Sequence, residues 1–203
     1  EKNNVFVVGR KNILPKIPNV NYFKFDLLKE NHIKNFLKKI NQIGKIDLVI
    51  HCIGGSLGVK KLDYESCIKV WETNIGIPIR INSFLIKNKI VKQQSNIILF
   101  SSKAADDLSE KPAYSMSKSF VESYVKNSSI IYKQKKIYFY CLKPGIVCAT
   151  GNNWYKCKRD NHKKYIYFVK KINKKGLEIN SNDIFNKIKT LIKNKQNKQI
   201  FDL

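Results

Sequence analysis

The sequence predicts an α/β domain built around an open, mostly parallel β-sheet. Short apolar runs alternate along the chain with longer stretches whose apolar residues recur at helical spacing, an order that favours parallel strands joined by helices. Several of the apolar runs end at a polar residue, a glycine or a proline. The 203 residues, 43% of them hydrophobic, suffice for one domain with a sizeable core.

Strands are predicted where a short apolar run stops abruptly. They cover residues 5–8, 22–25, 46–51, 96–100 and 137–142, with a final edge strand at 199–202. Helical periodicity covers residues 31–43, 64–91, 113–132 and 183–193. Pro78 should bend or break the second helix, and Ser181 or Asn182 should cap the last. The basic, aromatic-rich segment 152–176 is expected to be irregular or helical.

Composition excludes several classes of protein. The net charge of +24 comes almost entirely from lysine, which is spread over the whole chain together with many Asn and Ile. These residues share A- and T-rich codons, so we interpret the charge as a genome bias and expect no nucleic-acid partner. The sequence shows no membrane span, signal peptide, disulfide framework or metal-ligand cluster. We therefore expect a cytoplasmic protein with no membrane partner.

A tyrosine followed four residues later by a lysine is the first candidate for chemistry. On a helix these positions share a face, so a phenol and an ammonium can meet over one ligand. The spacing alone is uninformative, because chance supplies about two matches in a chain so rich in lysine. Three matches occur: Tyr114/Lys118, Tyr132/Lys136 and Tyr167/Lys171.

The surroundings single out the first pair. Ser102 lies twelve residues before Tyr114, just past a predicted strand, and Asn74 lies 28 residues before Ser102 in a predicted helix. Asp26, Gly54 and Pro144 likewise lie at the ends of predicted strands. Ligands of an open parallel sheet bind beyond the carboxyl ends of its strands, so we expect these residues to share one site.

On these residues, the chain resembles the short-chain dehydrogenase/reductase family from about Val5 to Leu203. The resemblance implies a Rossmann-like, doubly wound sheet and transfer of a hydride between a nicotinamide cofactor and a carbonyl or secondary alcohol. The catalytic tetrad of the family maps onto Asn74, Ser102, Tyr114 and Lys118. Ser101 is a lesser candidate for the serine, because the spacing from Ser102 to Tyr114 is about one residue short.

The resemblance also implies a role for each member of the tetrad. Tyr114 would give or take the proton, with its pKa lowered by Lys118 and an oxidised nicotinamide. Lys118 would bind the ribose hydroxyls, Ser102 would hold the substrate oxygen, and Asn74 would support a water that links Lys118 to solvent. His51, Cys52, Cys141 and Cys148 are expected to be buried packing residues.

Contacts to the cofactor follow from the same resemblance. They are expected at Arg10, Asp26, Leu27, Cys52, Gly54, Asn74, Tyr114, Lys118, Pro144, Gly145 and Val147. Asp26 would lie at the adenine, and the backbone near Ile146 and Val147 would hold the carboxamide. Thr150 is nearest to the threonine that usually follows the Pro-Gly turn. Arg10 and Lys11, with no acidic neighbour, favour NADP over NAD.

The first strand of the family and its glycine-rich pyrophosphate turn have no counterpart here, since Gly9 is the only glycine before Gly44. We therefore expect residues 1–203 to form one NAD(P)-binding domain that is incomplete at its N-terminus. Either about 30 further residues precede Glu1 in the natural protein, or this chain must close the gap itself, and direct pairing of the strands at 5–8 and 46–51 is one way to do so. Poor cofactor affinity of the 203-residue chain is expected.

Substrate and partners are less constrained. The basic and aromatic side chains of 152–176 favour an anionic small-molecule substrate, and a solvated basic surface explains them equally well. The resemblance implies a dimer or tetramer built on the helices at 64–91 and 113–132. A non-catalytic relative with weak or no cofactor binding and a basic adaptor for anionic surfaces are the alternatives. A sugar-nucleotide epimerase or dehydratase would share the tyrosine and lysine but normally has a longer C-terminal region.

Overall fold

The computed structural model describes residues 3–10, 17–106, 111–173, 176–195 and 198–203. The strands are β1 Val5–Gly9, β2 Val20–Lys24, β3 Ile46–His51, β4 Val91–Phe100, β5 Tyr138–Lys143 and β6 Ile200–Asp202. The α-helices are α1 Glu30–Asn41, α2 Tyr64–Trp71, α3 Ile77–Lys87, α4 Pro112–Ile131, α5 Asn153–Asp160, α6 His162–Ile172 and α7 Ser181–Asn194. The alternation of strands and helices confirms the predicted α/β class.

The strands form two parallel sheets. Strands β3, β4, β5 and β6 lie side by side in that order, while β1 and β2 pair only with each other. Within the described ranges no sheet pairing joins β1 to β3, so direct pairing of these two strands is wrong. Strands β1 and β3 each keep one edge without a strand partner, and Ile50 on β3 stays 39% exposed although parallel strands are normally covered on both faces.

The core lies on both faces of the four-stranded sheet. Successive side chains of a strand point to opposite faces, so Ile97 and Leu99 of β4 join one apolar cluster and Ile98 joins another. The first cluster packs α1, α3 and α4 against the sheet, and side chains from β1 and β3 contact it. The second packs α7 against β5 and β6. Helices therefore flank the sheet on both sides and fix its carboxyl edge.

The predicted helix at 64–91 is interrupted. A π-helical turn, Glu72–Gly76, separates α2 from α3, and Pro78 occupies the first turn of α3, where its missing N–H costs little. The helix ends at Lys87, followed by Lys89 with a positive φ of 53°. Strand β4 therefore begins at Val91, five residues before the predicted position, and meets β3 through a register shift between Ile46 and Leu48.

In the C-terminal third, the segment expected to be irregular or helical is helical. The segment after β5 folds into α5 and α6, and β6 forms the expected edge strand beside β5. The cap of α7 is Asn180, so the prediction of Ser181 or Asn182 is wrong. The Asn180 side chain accepts hydrogen bonds from the backbone of Asn182 and Asp183, and the Asp183 carboxylate accepts the Asn180 N–H in return.

Candidate active site

The carboxyl ends of β3, β4 and β5 form a rim at which the tetrad predicted from the sequence comes together. The chain leaves β3 towards Gly54, leaves β4 at Ser101 and Ser102, and leaves β5 at Pro144. Parallel strands end at the same edge of a sheet, so these three exits are neighbours in space. Helix α4 then carries Tyr114 across this rim.

Tyr114 and Ser102 meet through their hydroxyl groups. Burial raises the pKa of the Tyr114 phenol, and a hydrogen bond with the Ser102 side chain opposes that rise. Desolvation is the larger of these two effects, and Lys118 contributes to neither. The Ser102 oxygen also accepts the Ala104 backbone N–H at 3.3 Å, which fixes the start of a short 3₁₀ turn. At neutral pH the phenol is therefore protonated.

Lys118 lies one helical turn after Tyr114 and is buried. Its ammonium donates to the Phe100 carbonyl at 2.8 Å and stands 5.5 Å from the centre of the Tyr114 ring. Burial lowers the pKa of Lys118 to about 8. The ammonium has three donor hydrogens, so the bond to Phe100 leaves donors for a ligand.

Asn74 lies in the π-helical turn and fastens the loop after β3. Its Oδ1 accepts the Gly55 N–H at 3.0 Å, and its Nδ2 donates to the carbonyls of Gly55 and Val70. A support role for a water must therefore use the second lone pair of Oδ1 or the backbone. The Asn74 carbonyl also lacks the usual α-helical donor, because the residue four positions later is Pro78.

Ser101, the lesser candidate for the serine role, points away from Tyr114. Its hydroxyl donates to Glu122 at 2.7 Å and lies 3.2 Å from the Lys118 carbonyl. The structure thus brings Ser102, and not Ser101, to the phenol. Sequence reasoning missed Glu122; its position four residues after Lys118 on α4 is the signal that places it one turn further along the same helix.

The Pro-Gly turn after β5 is held by a residue that sequence reasoning also missed. Asn173, at the end of α6, accepts the Ile146 N–H at 2.5 Å and donates to the Ile146 and Leu177 carbonyls. The carbonyl of Val147 accepts from Asn152 at 2.8 Å. These bonds fix the loop. A nicotinamide carboxamide bound here would donate to the Ile146 or Val147 carbonyl, each of which already accepts one hydrogen bond. Nothing in the spacing identifies Asn173, since 27 residues separate it from Ile146.

A family profile described as short chain dehydrogenase matches residues 9–160, about three quarters of the chain. The chain belongs to the short-chain dehydrogenase family. No curated protein matches it in sequence.

Solved structures share the fold of this short-chain dehydrogenase. One is a short-chain dehydrogenase family protein from Francisella tularensis, with 18% identity, a TM-score of 0.78 and coverage of 98% of this chain and 86% of that one. A second is 4-hydroxyisoleucine dehydrogenase complexed with NADH, with 17% identity, a TM-score of 0.80 and the same coverage. A third, ElxO with NADP bound, has 16% identity, a TM-score of 0.76 and covers 91% of this chain and 76% of that one.

Three of the expected cofactor residues lie outside the rim, after β1 and β2. Arg10 is exposed just after β1, and Lys11 lies outside the described residues. The Asp26 carboxylate accepts the Leu28 N–H at 3.3 Å, so it shapes the turn before α1. Leu27 is buried in the first core cluster, so its side chain packs under α1 instead of facing a ligand.

The other two tyrosine–lysine pairs lie away from the rim of the short-chain dehydrogenase. Tyr132 ends α4 and stacks on Phe139, with ring centres 5.6 Å apart, while Tyr167 on α6 is 60% exposed. His51 is buried and bonded to Asn82 at 2.7 Å, as expected of a packing residue. All five cysteines are free; Cys141 is buried as expected and Cys148 is half-buried, but Cys52 is exposed, which corrects its place in the core.

The basic segment of the short-chain dehydrogenase forms α5 and α6 beside the Pro-Gly turn. Ile146 joins a third apolar cluster with Tyr165 and Val169 of α6. Lys158 pairs with Glu178 at 2.6 Å, and Arg159 pairs with its neighbour Asp160. Two of the basic side chains of this segment are therefore already paired with a carboxylate. Thr150 is exposed in the turn before α5.

Two further observations limit the chemistry of the described residues. None of their groupings of His, Cys, Asp and Glu has three members placed to hold a metal ion. Every helix in the described ranges is too short or too polar to cross a lipid bilayer.

Proposed function

We propose that this short-chain dehydrogenase is an NAD(P)-dependent oxidoreductase that acts on a carbonyl or a secondary alcohol, with Tyr114 as the general acid or base. The observation that carries the proposal is the meeting of the Tyr114 phenol with the Ser102 hydroxyl, one helical turn from a buried lysine, at the carboxyl edge of the sheet. A bound nicotinamide supplies or accepts the hydride.

The state of Tyr114 suits the direction of carbonyl reduction. Its raised pKa keeps the phenol protonated at neutral pH, so it can give a proton to a carbonyl oxygen. Ser102 holds that oxygen by donating its hydroxyl hydrogen, since the Ser102 oxygen itself accepts the Ala104 N–H. Lys118 then stabilises the phenolate that remains. In the opposite direction the phenolate takes the alcohol proton.

The rim fits the ribose and nicotinamide end of a dinucleotide. A Cβ atom on Gly54 would lie 2.5 Å from Asn74 Oδ1 and 3.3 Å from the Lys118 ammonium, so glycine lets the loop after β3 pack directly against these two members of the tetrad. Lys118 retains donors for ribose hydroxyls, and hydrogen bonds with Asn173 and Asn152 hold the loop at Gly145 and Val147.

Arg10 supports NADP as the preferred cofactor. Its exposed guanidinium follows β1, and a guanidinium matches the geometry of a 2′-phosphate. Titration of NADPH fluorescence with the 203-residue chain is expected to give a dissociation constant weaker than micromolar. Replacing Arg10 with Ala should weaken NADPH binding further and leave NADH binding unchanged; equal losses for both would contradict the role of Arg10.

The decisive experiment removes one phenol oxygen. Tyr114→Phe should lower NADPH-dependent reduction of a panel of aldehydes, ketones and quinones by about 10²–10⁴-fold while the fold stays intact. Tyr167→Phe is the matched control, because it removes the same atom from the same tyrosine–lysine spacing on α6. Equal activity of Tyr114→Phe and wild type would refute the proposal. Absence of turnover and of cofactor binding in the wild type would favour the non-catalytic alternative.

We also propose that the protein forms a homo-oligomer through α2 and α4. Four exposed apolar side chains lie on these adjacent helices, Tyr64 (75% exposed) and Ile68 on α2 and Met116 and Phe120 (46% exposed) on α4, and we call them the apolar patch. Trp71 packs edge-on against Phe120 within the patch. A large exposed apolar patch commonly marks an interface, and a second copy offers a matching one. A cytoplasmic location completes the proposal and agrees with five free cysteines.

A further inference from the structure

Lys143 is the last residue of β5 and is almost completely buried, with 5% of its surface exposed. A buried charge is unfavourable unless it is paired. The Lys143 ammonium forms ion pairs with Glu122 at 2.9 Å and with Asp106. Burial opposes the charged form, but these two carboxylates outweigh it and raise the pKa of Lys143. The ammonium is therefore a permanent cation within the fold.

The two partners of Lys143 come from different elements. Glu122 lies on α4 one turn after Lys118, and Asp106 closes the 3₁₀ turn that begins at Ser102. Glu122 also accepts the hydroxyl hydrogen of Ser101, the neighbour of Ser102, at 2.7 Å. The ion-pair cluster of Lys143, Glu122 and Asp106 therefore contacts the segment 101–106 at both ends, through Ser101 and through Asp106 itself.

Helix α4 holds the middle of the same segment. Ser115 donates to the Ala104 carbonyl, and Ser119 donates to the Ala105 carbonyl at 3.0 Å. Together with Glu122, these serines follow one another at helical spacing, so they form a holding stripe (Ser115, Ser119 and Glu122) beside the stripe that carries Tyr114 and Lys118. One helix thus positions the phenol and also the loop that carries its hydroxyl partner.

We propose that Lys143 and Glu122 are positioning residues for the reaction, a buried ion pair that holds Ser102 in reach of the Tyr114 phenol. This rests on the proposed function, because it assigns Ser102 the substrate oxygen. Neither residue needs to touch the substrate: Glu122 acts through Ser101, and Lys143 acts through both carboxylates.

The test separates positioning from stability. Lys143→Met alone leaves Glu122 buried without its cation, so the informative protein is Lys143→Met combined with Glu122→Met, which removes both charges and the acceptor of the Ser101 hydroxyl. We expect this double variant to keep a cooperative thermal transition, to lose about tenfold or more in kcat, and to keep its KM for NADPH. Lys143→Arg in a protein that keeps Glu122 should have the kcat of the wild type, because the cation is retained. Lys92→Met, which breaks the exposed pair with Asp47, is the matched control and should change neither.

A second readout does not depend on turnover. In protein carrying ¹³C-labelled tyrosine, with Tyr114→Phe used to assign the signal, the Tyr114 pKa should rise in the double variant because the opposing bond from Ser102 is lost. Ser102→Ala should raise it too, and combining the two sets of changes should raise it no further than Ser102→Ala does. Wild-type kcat with an unchanged Tyr114 pKa, or additive shifts, would overturn the positioning role. A wild type without turnover whose Tyr114 pKa still responds in this way would refute the proposed reaction and leave the positioning of Ser102 standing.

Discussion

The loop after β3 passes so close to α2 and α3 that a Cβ atom on Gly54 would lie 2.5 Å from Oδ1 of Asn74. No side chain can be accommodated at that distance unless Asn74 moves. Since Asn74 also binds the backbone of Gly55 at two points, the contact couples the geometry of the loop to that of the tetrad.

Gly54→Ala should therefore reduce both stability and activity. The clash displaces Asn74 and crowds the Lys118 ammonium, and the φ of +141° adds backbone strain. We expect a loss of about 2–4 kcal/mol in the free energy of unfolding, measured by urea denaturation. Gly55→Ala is the matched control: its φ of +144° imposes similar strain, but nothing lies within 4 Å of its Cβ position. If both variants lose the same stability and activity, the contact with Asn74 is not responsible.

Asn173→Ala should loosen the Pro-Gly turn. It removes the Asn173 hydrogen bonds to the Ile146 N–H and to the carbonyls of Ile146 and Leu177. The N–H and the carbonyl of Ile146 are both buried. We expect a loss of about 2–4 kcal/mol in the free energy of unfolding. Asn127→Ala on the exposed face of α4 removes an amide that bonds Ser123, and should cost less than about 0.5 kcal/mol. Similar costs for the two variants would contradict the role given to Asn173.

His51 should make stability depend on pH in the mildly acidic range. Burial lowers its pKa from 6.5 to about 4, although the bond to Asn82 opposes the shift. Between these values the unfolded chain binds a proton that the folded protein excludes, so stability present above pH 6.5 is lost as the pH falls towards 4. The loss attributable to His51 is about 3 kcal/mol. His51→Gln should flatten this slope in urea denaturation at several pH values, and an unchanged slope would rule out His51 as its source.

Phe120→Asp should dissociate the proposed oligomer. A carboxylate in the centre of the apolar patch cannot be buried against a second copy without a large cost. Sedimentation velocity should show a smaller species, and added salt should strengthen wild-type association by screening the net charge of +24 on each chain. Phe185→Asp on α7, where the ring is 57% exposed, should leave the oligomer unchanged. A monomeric wild type would refute the interface.

The site could be located from the sequence because its residues follow strand ends. Parallel strands bring their carboxyl ends together, so Gly54, Ser102 and Pro144 had to meet once the strands were recognised, and helical spacing then placed Lys118 beside Tyr114. Pro78 predicted a break in the helix at 64–91, and the structure places the interruption just before it, at Glu72–Gly76; the end at Lys87 was missed because the left-handed Lys89 has no reliable sequence signal.

The linear order of residues determined the α/β class, the parallel sheet, the family and the one tyrosine–lysine pair that lies at the rim, since each depends on local periodicity or on spacing to a strand end. Only the tertiary structure decided that Ser102 and not Ser101 faces the phenol, that Asn173 holds the Pro-Gly turn, and that Lys143 joins Asp106 to Glu122. These contacts join segments far apart in the chain, and burial sets their energies. Neither the partners nor the degree of burial is written in local sequence.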